Sequence, residues 1–100
     1  MHVISKKALE AFCLKHTAFF SSLDAWYRVA RKSDFGTFSE LKKAFNTAGY
    51  VAPYTVFDVG GNSFRIITAI HYNRQTLYIR EVFTHAEYDR WTKAYRSGKA

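Results

Sequence analysis

Tyr54-Thr55-Val56-Phe57-Asp58-Val59-Gly60-Gly61-Asn62-Ser63-Phe64-Arg65 is where the chain changes period. Thr55, Phe57 and Val59 alternate with Tyr54, Val56 and Asp58, the repeat of a strand whose two faces meet different surroundings. Gly60-Gly61-Asn62 tolerates positive φ and reads as a tight hairpin. Phe64 to Tyr72 is the longest β-branched run, Asn73-Arg74-Gln75 makes the next turn, and Thr76 to Phe83 returns. The segment therefore predicts an antiparallel meander.

Upstream the spacing is helical. Val3 and Ile4 read as a short first strand, and Ser5 stands where a helix cap belongs. Ala8, Leu9, Ala11, Phe12 and Leu14 then recur with a mostly helical period, leaving Lys6, Lys7, Glu10 and Lys15 for water. A second helix is predicted from Phe19 to Lys32 on Phe19, Leu23, Trp26, Tyr27 and Ala30, and Asp34-Phe35-Gly36 breaks it. Thr37-Phe38-Ser39-Glu40 fits a capping box ahead of Leu41 and Phe45, and Lys42 and Lys43 lie on that short helix. Gly49 to Pro53 reads as a connector. Downstream, Thr84-His85-Ala86-Glu87 is a second capping box, opening a C-terminal helix with Trp91 and Tyr95 on one face. Helices first and a meander after them indicate one α+β domain over residues 1–100.

The chain carries a formal charge of +7, with 48% apolar and 18% aromatic residues. That is a globular composition, and its basic charge calls for an acidic partner, nucleic acid first, ribosomal RNA included. The plainer reading is a protein that is merely basic. Cys13 is the only cysteine, so it forms no internal disulfide, and among Ala11, Phe12 and Leu14 it reads as a small core residue. His2, His16, His71 and His85 lack metal-ligand spacing, so neither a metal site nor a cofactor is expected. No apolar run is long enough for a signal peptide or membrane span, which predicts a cytoplasmic protein without membrane attachment.

Chemistry concentrates in the meander. A two-residue turn at Arg74-Gln75 would set Ile67 opposite Val82 and Ala69 opposite Arg80. Arg65 and Arg80 would then share a face, with Ile66, Ile70, Leu77, Ile79 and Phe83 making a core on the other. Two fixed cations beside a histidine at a helix start suit RNA transesterification. Arginine steadies charge on the phosphoryl oxygens, and histidine moves protons near neutrality. Blander readings stand beside these: Arg65 paired with Asp58, Arg80 with Glu81 or Glu87, His85 as a solvated histidine, and Tyr88 as a core aromatic. Lys42 and Lys43 are either anchors on an RNA backbone or a solvated helix face. The whole basic sheet is also open to reading as a non-catalytic RNA- or DNA-binding module.

Val56-Phe57-Asp58-Val59-Gly60-Gly61-Asn62-Ser63-Phe64-Arg65, followed by Tyr78-Ile79-Arg80-Glu81-Val82-Phe83-Thr84-His85-Ala86-Glu87-Tyr88-Asp89, resembles the HigB-type toxins of bacterial toxin–antitoxin systems. The resemblance implies a RelE-like fold, with N-terminal helices packed on a small twisted antiparallel sheet and a C-terminal helix. It implies an endoribonuclease that cuts mRNA in the ribosomal decoding site without a metal. It also implies a cognate antitoxin, often a helix-turn-helix protein, that holds the enzyme inactive. Carried over by position, it implicates Asn62, Arg65, Arg80, His85 and Tyr88. Asp58 departs from the asparagine often found there and adds a carboxylate beside Arg65. A chain of this type that only titrates an antitoxin is the remaining alternative.

Overall fold

The computed structural model describes residues 1–61 and 63–98. Its sheet has five strands: β1 (His2–Ile4), β2 (Gly49–Val51), β3 (Tyr54–Val59), β4 (Phe64–His71) and β5 (Thr76–Thr84). They lie in the order β1-β5-β4-β3-β2. The β3–β4–β5 meander is antiparallel as the alternation predicts, and β1 adds itself parallel to β5 with Val3 beside Leu77. The stretch read as a connector contains β2, whose Gly49–Val51 pairs back on Tyr54–Val56. A strand of that length is too short to show alternation, and Pro53 in the turn masks it further.

Helices α1 (Lys6–Lys15), α2 (Phe20–Lys32) and α3 (Phe38–Ala44) cover one face of the sheet, and α4 (His85–Arg96) lies on the other. Each start has a local cause. The Ser5 hydroxyl accepts from the Lys7 amide at 3.1 Å, and Thr37 accepts from Glu40 at 3.2 Å. The second half of the predicted Thr37 box is displaced, because the Glu40 carboxylate takes the Gly36 amide instead. Thr84 and Glu87 form the full reciprocal box of α4. A 3-10 turn over Thr17–Phe19 precedes α2, so Phe19 ends that turn and the α-helix begins at Phe20. None of the helices among the described residues is long and apolar enough to cross a membrane.

The core forms where the first three helices meet the sheet. Phe57, Phe64, Ile66 and Leu77 point at Phe12, Leu23 and Trp26, each of them buried. Trp26 meets Phe57 edge-on at 5.1 Å, and Phe12 meets Phe64 at 5.5 Å. The hairpin between β3 and β4 needs Gly60 and Gly61 at φ 67° and 61°, and a Cβ on Gly60 would sit 2.7 Å from the Phe64 ring.

The register of β4 on β5 differs from the one expected. Ile67 lies opposite Glu81, not Val82, and Ala69 opposite Tyr78, not Arg80. The cause is the turn. Residues Tyr72–Arg74 make a 3-10 turn and Gln75 follows in a left-handed conformation, φ 48°, so the loop is longer than two residues. The Gln75 amide fixes it by bonding both the N–H and the C=O of Phe35, at 3.0 and 2.6 Å. Further along, a bulge skips Arg80, since Ile67 pairs with Glu81 and Thr68 with Ile79. As a result Phe83 leaves the expected core, pairs with Arg65 and packs on Trp91 under α4.

Candidate active site

Arg65 is the centre of the arrangement on the α4 face. Asp58 lies directly opposite it across the hairpin, and its Oδ1 accepts from a guanidinium nitrogen, NH1, at 3.0 Å. Both side chains are largely covered, at 12% and 25% exposure, so the pair is held in a defined geometry rather than tumbling in water. Arg65 also stands over the Tyr88 ring at 5.2 Å, a cation–π contact that α4 supplies from its second turn. Tyr88 stacks in turn on Trp91 at 6.0 Å. The pairing of Arg65 with Asp58 read from the sequence is therefore present, and Tyr88 joins the same cluster.

His85 is the first residue of α4. The capping box fixes its backbone, and its own N–H donates to the Ser63 carbonyl at 3.1 Å, tying the helix start to the β3–β4 turn. Its imidazole is half exposed, and Nδ1 meets the Asp89 carboxylate at 3.2 Å one helical turn on. Asp89 was not singled out by the sequence reading, although the i, i+4 spacing carries the signal. Glu87 is held below the usual carboxylate range, first by the Thr84 backbone N–H that it accepts. It stays ionised as a cap.

Arg80 lies apart from this cluster. The bulge leaves it without a ladder partner, exposed, with its guanidinium over the Tyr78 ring at 5.6 Å. Tyr78 pairs with Ala69 on the Arg65 side of the sheet, while Arg80 also lines a cleft against α1 with Lys15, His16 and Glu87. Arg80 and Glu87 thus line one cleft, which brings Arg80 beside the first turn of α4. The cleft residues of α1 were not found by the sequence reading, because nothing in the α1 periodicity says which strand its end adjoins.

The α3–β2 loop rims the Arg65 side. Lys42 donates to the Ala48 carbonyl at 2.6 Å, and the Thr47 hydroxyl donates to the Asp58 carbonyl at 3.1 Å. Lys42 therefore secures this loop, and Lys43 is exposed beside it on α3. Asn62 lies outside the described residues. An apolar groove of about 520 Å³ between α1 and α2, lined by Leu9, Cys13, Leu14 and Phe20, holds no arginine or histidine and is no candidate for phosphate chemistry. Burial, then Asp24, pushes the Cys13 thiol up, away from a reactive thiolate.

Residues 20–91 match the HigB toxin family, described as the RelE-like toxic component of a toxin–antitoxin system. The chain is 35% identical over 102 residues to an mRNA interferase HigB of Escherichia coli O6:H1, covering 99% of each chain. It is also 35% identical over 100 residues to the mRNA interferase toxin HigB of Escherichia coli K12, covering 97% of this chain and 96% of the relative. The mRNA interferase HigB of Shigella flexneri matches to the same extent, 35% over 100 residues.

Proposed function

The chain belongs to the HigB family of RelE-like toxic components of toxin–antitoxin systems, and from that premise we propose that it is an endoribonuclease that cuts mRNA on the ribosome and so stops translation. The family implies a cognate antitoxin. In this reading the antitoxin is a helix-turn-helix protein that neutralises the enzyme, and the toxin acts in the cytoplasm, where translating mRNA is.

The observation that carries the reading is the placement of Arg65, fixed between Asp58 and Tyr88 beside the helix turn that bears His85. In the proposed reaction the 2′-hydroxyl of the substrate attacks the adjacent phosphorus and the 5′-oxygen leaves with a proton. Negative charge grows on the non-bridging oxygens. Arg65, already oriented by its neighbours, meets that charge without reorganising, and Arg80 approaches from beside the first turn of α4. The N-terminal end of α4 adds its own positive potential. Charge that a metal would otherwise balance is balanced here by guanidinium groups, so the reaction runs without one.

His85 is the proton carrier. With Nδ1 held on Asp89, Nε2 is the nitrogen offered to substrate, and imidazole exchanges protons readily near neutral pH. Asp89 is then a positioning residue. Tyr88 presents its remaining edge to a base, while Lys42, Lys43 and Asn62 grip the RNA backbone.

Primer extension on an mRNA, with and without translating ribosomes, tests the reading. Cuts within codons are expected only with ribosomes, and His85→Ala should lose them by a hundredfold or more, on the order of one missing acid–base group. Absence of cuts under both conditions would instead favour a basic RNA-binding module.

A further inference from the structure

The short Thr17–Phe19 turn joins α1 to α2, and a groove of about 520 Å³ runs between the two helices. Leu9, Cys13 and Leu14 wall it from α1, and Phe20, Leu23 and Tyr27 from α2. Lys6 stands over the Tyr27 ring at 5.4 Å at one end, and Leu14 and Phe20 mark the other. α1 turns a different flank, with Ala8, Ala11 and Lys15, to the Arg80 cleft. None of the residues of the proposed reaction lines the groove.

Two of its side chains are left in water. Leu14, which the helical period assigns to the apolar stripe, is 83% exposed, and Phe20 is 59% exposed. A single exposed apolar residue is ordinary. Two on the rim of one apolar trough mark a contact.

The form of the occupant follows from the walls. Both are helical, so their backbone groups are already paired within each helix. An extended segment laid there would find no partners for its own N–H and C=O groups. A helix arrives with its backbone satisfied and needs only an apolar ridge to fill the trough. From Lys6 to Leu14 the groove runs roughly 12 Å, about two turns, which matches apolar positions at i, i+3, i+4 and i+7.

Charge narrows the choice. Glu10 and Asp24 also line the groove, and Glu10 has no ion-pair partner among the described residues. A lysine or arginine beside the apolar ridge would meet these carboxylates, whereas an anionic membrane surface would be repelled by them. A second copy of the chain is disfavoured, since each carries +7. The partner that the family supplies is an antitoxin.

We propose that this groove seats the antitoxin, through an amphipathic helix whose apolar ridge is flanked by a basic residue set against Glu10 and Asp24. The proposal rests on the toxin reading above. It is tested on the full chain with the antitoxin encoded beside it, comparing wild type, Leu14→Ser, Phe20→Ser, Glu10→Lys and Val29→Ser. Leu14→Ser and Phe20→Ser should each weaken binding about tenfold or more, and should still arrest growth when the antitoxin is co-expressed. Glu10→Lys should weaken binding by less. Val29, 43% exposed on α2 and outside the groove, is the control and should bind as wild type does.

Cys13, the only cysteine, reports on the groove without a substitution. Its reaction with a maleimide should slow when the antitoxin binds. Wild-type affinity in both serine variants, or a Cys13 that reacts equally fast in the complex, overturns the proposal. So does a free chain whose self-association, and not its antitoxin binding, is lost in Leu14→Ser. A wild-type protein that neither arrests growth nor cuts RNA would fail the toxin reading itself, and the affinity and Cys13 measurements would still be readable.

Discussion

The helix-covered face of the sheet and the α4 face bury their side chains to different ends. On the first, Phe57, Phe64, Ile66 and Leu77 meet three helices and carry no charge. On the second, Val56 and Ile67 are equally buried, but the same strands bring Asp58 and Arg65 to the helix start, where a polar pair is held by packing on Tyr88. The first face sets whether the chain folds. The second borrows that rigidity to hold charged groups in place, which is what catalysis by preorganised charge needs.

The division has consequences that can be broken. Phe57→Ala opens a cavity under Trp26 and Phe45 and should cost about 3–5 kcal/mol of stability, read by chemical denaturation. Arg80→Ala should do the reverse. It should remove about a hundredfold or more of the activity, scored as relief of growth arrest, with an unchanged melting curve because the side chain is exposed and lies at a bulge. If Arg80→Ala melted as early as Phe57→Ala, the two faces would not be separable in this way.

A smaller effect sharpens the boundary between them. Thr84→Ala removes the cap that starts α4 and should cost about 1 kcal/mol. It should also lower activity, since His85 depends on that start. The same box carries a pH dependence. The Thr84 N–H lowers the Glu87 pKa in the folded protein, so this contribution is complete above the carboxyl's unfolded value and fades as pH falls through the lowered native one. Glu87→Gln should flatten that acid limb of the stability–pH curve.

Much of this was legible from residues alone. The change of period at Tyr54, the Gly60-Gly61 hairpin and both capping residues, Thr37 and Thr84, are local signals, and the structure carries them. The Asp58–Arg65 pair was legible because a hairpin makes its two residues cross-strand neighbours. Register was not, for a physical reason. It depends on Gln75 reaching Phe35, a contact between distant parts of the chain, and on a bulge that parity counting passes over. A shift of one residue moves a side chain to the other face, and Phe83 shows it. The α1 cleft was hidden for the same reason: Lys15 and His16 acquire their meaning only from the strand beside them.

The bulge at Arg80 also bears on how such a gene is disarmed. Glu81 faces Ile67 and Ile79 faces Thr68, so the ladder already closes around the skipped residue. Loss of that single codon in frame would therefore join two correctly paired halves into a continuous strand. Most internal codon losses in a strand scramble every residue beyond them. Here the lesion deletes a guanidinium and little else, and if Arg80 acts as proposed it should give a folded but silent protein, read as loss of growth arrest with an unchanged melting curve.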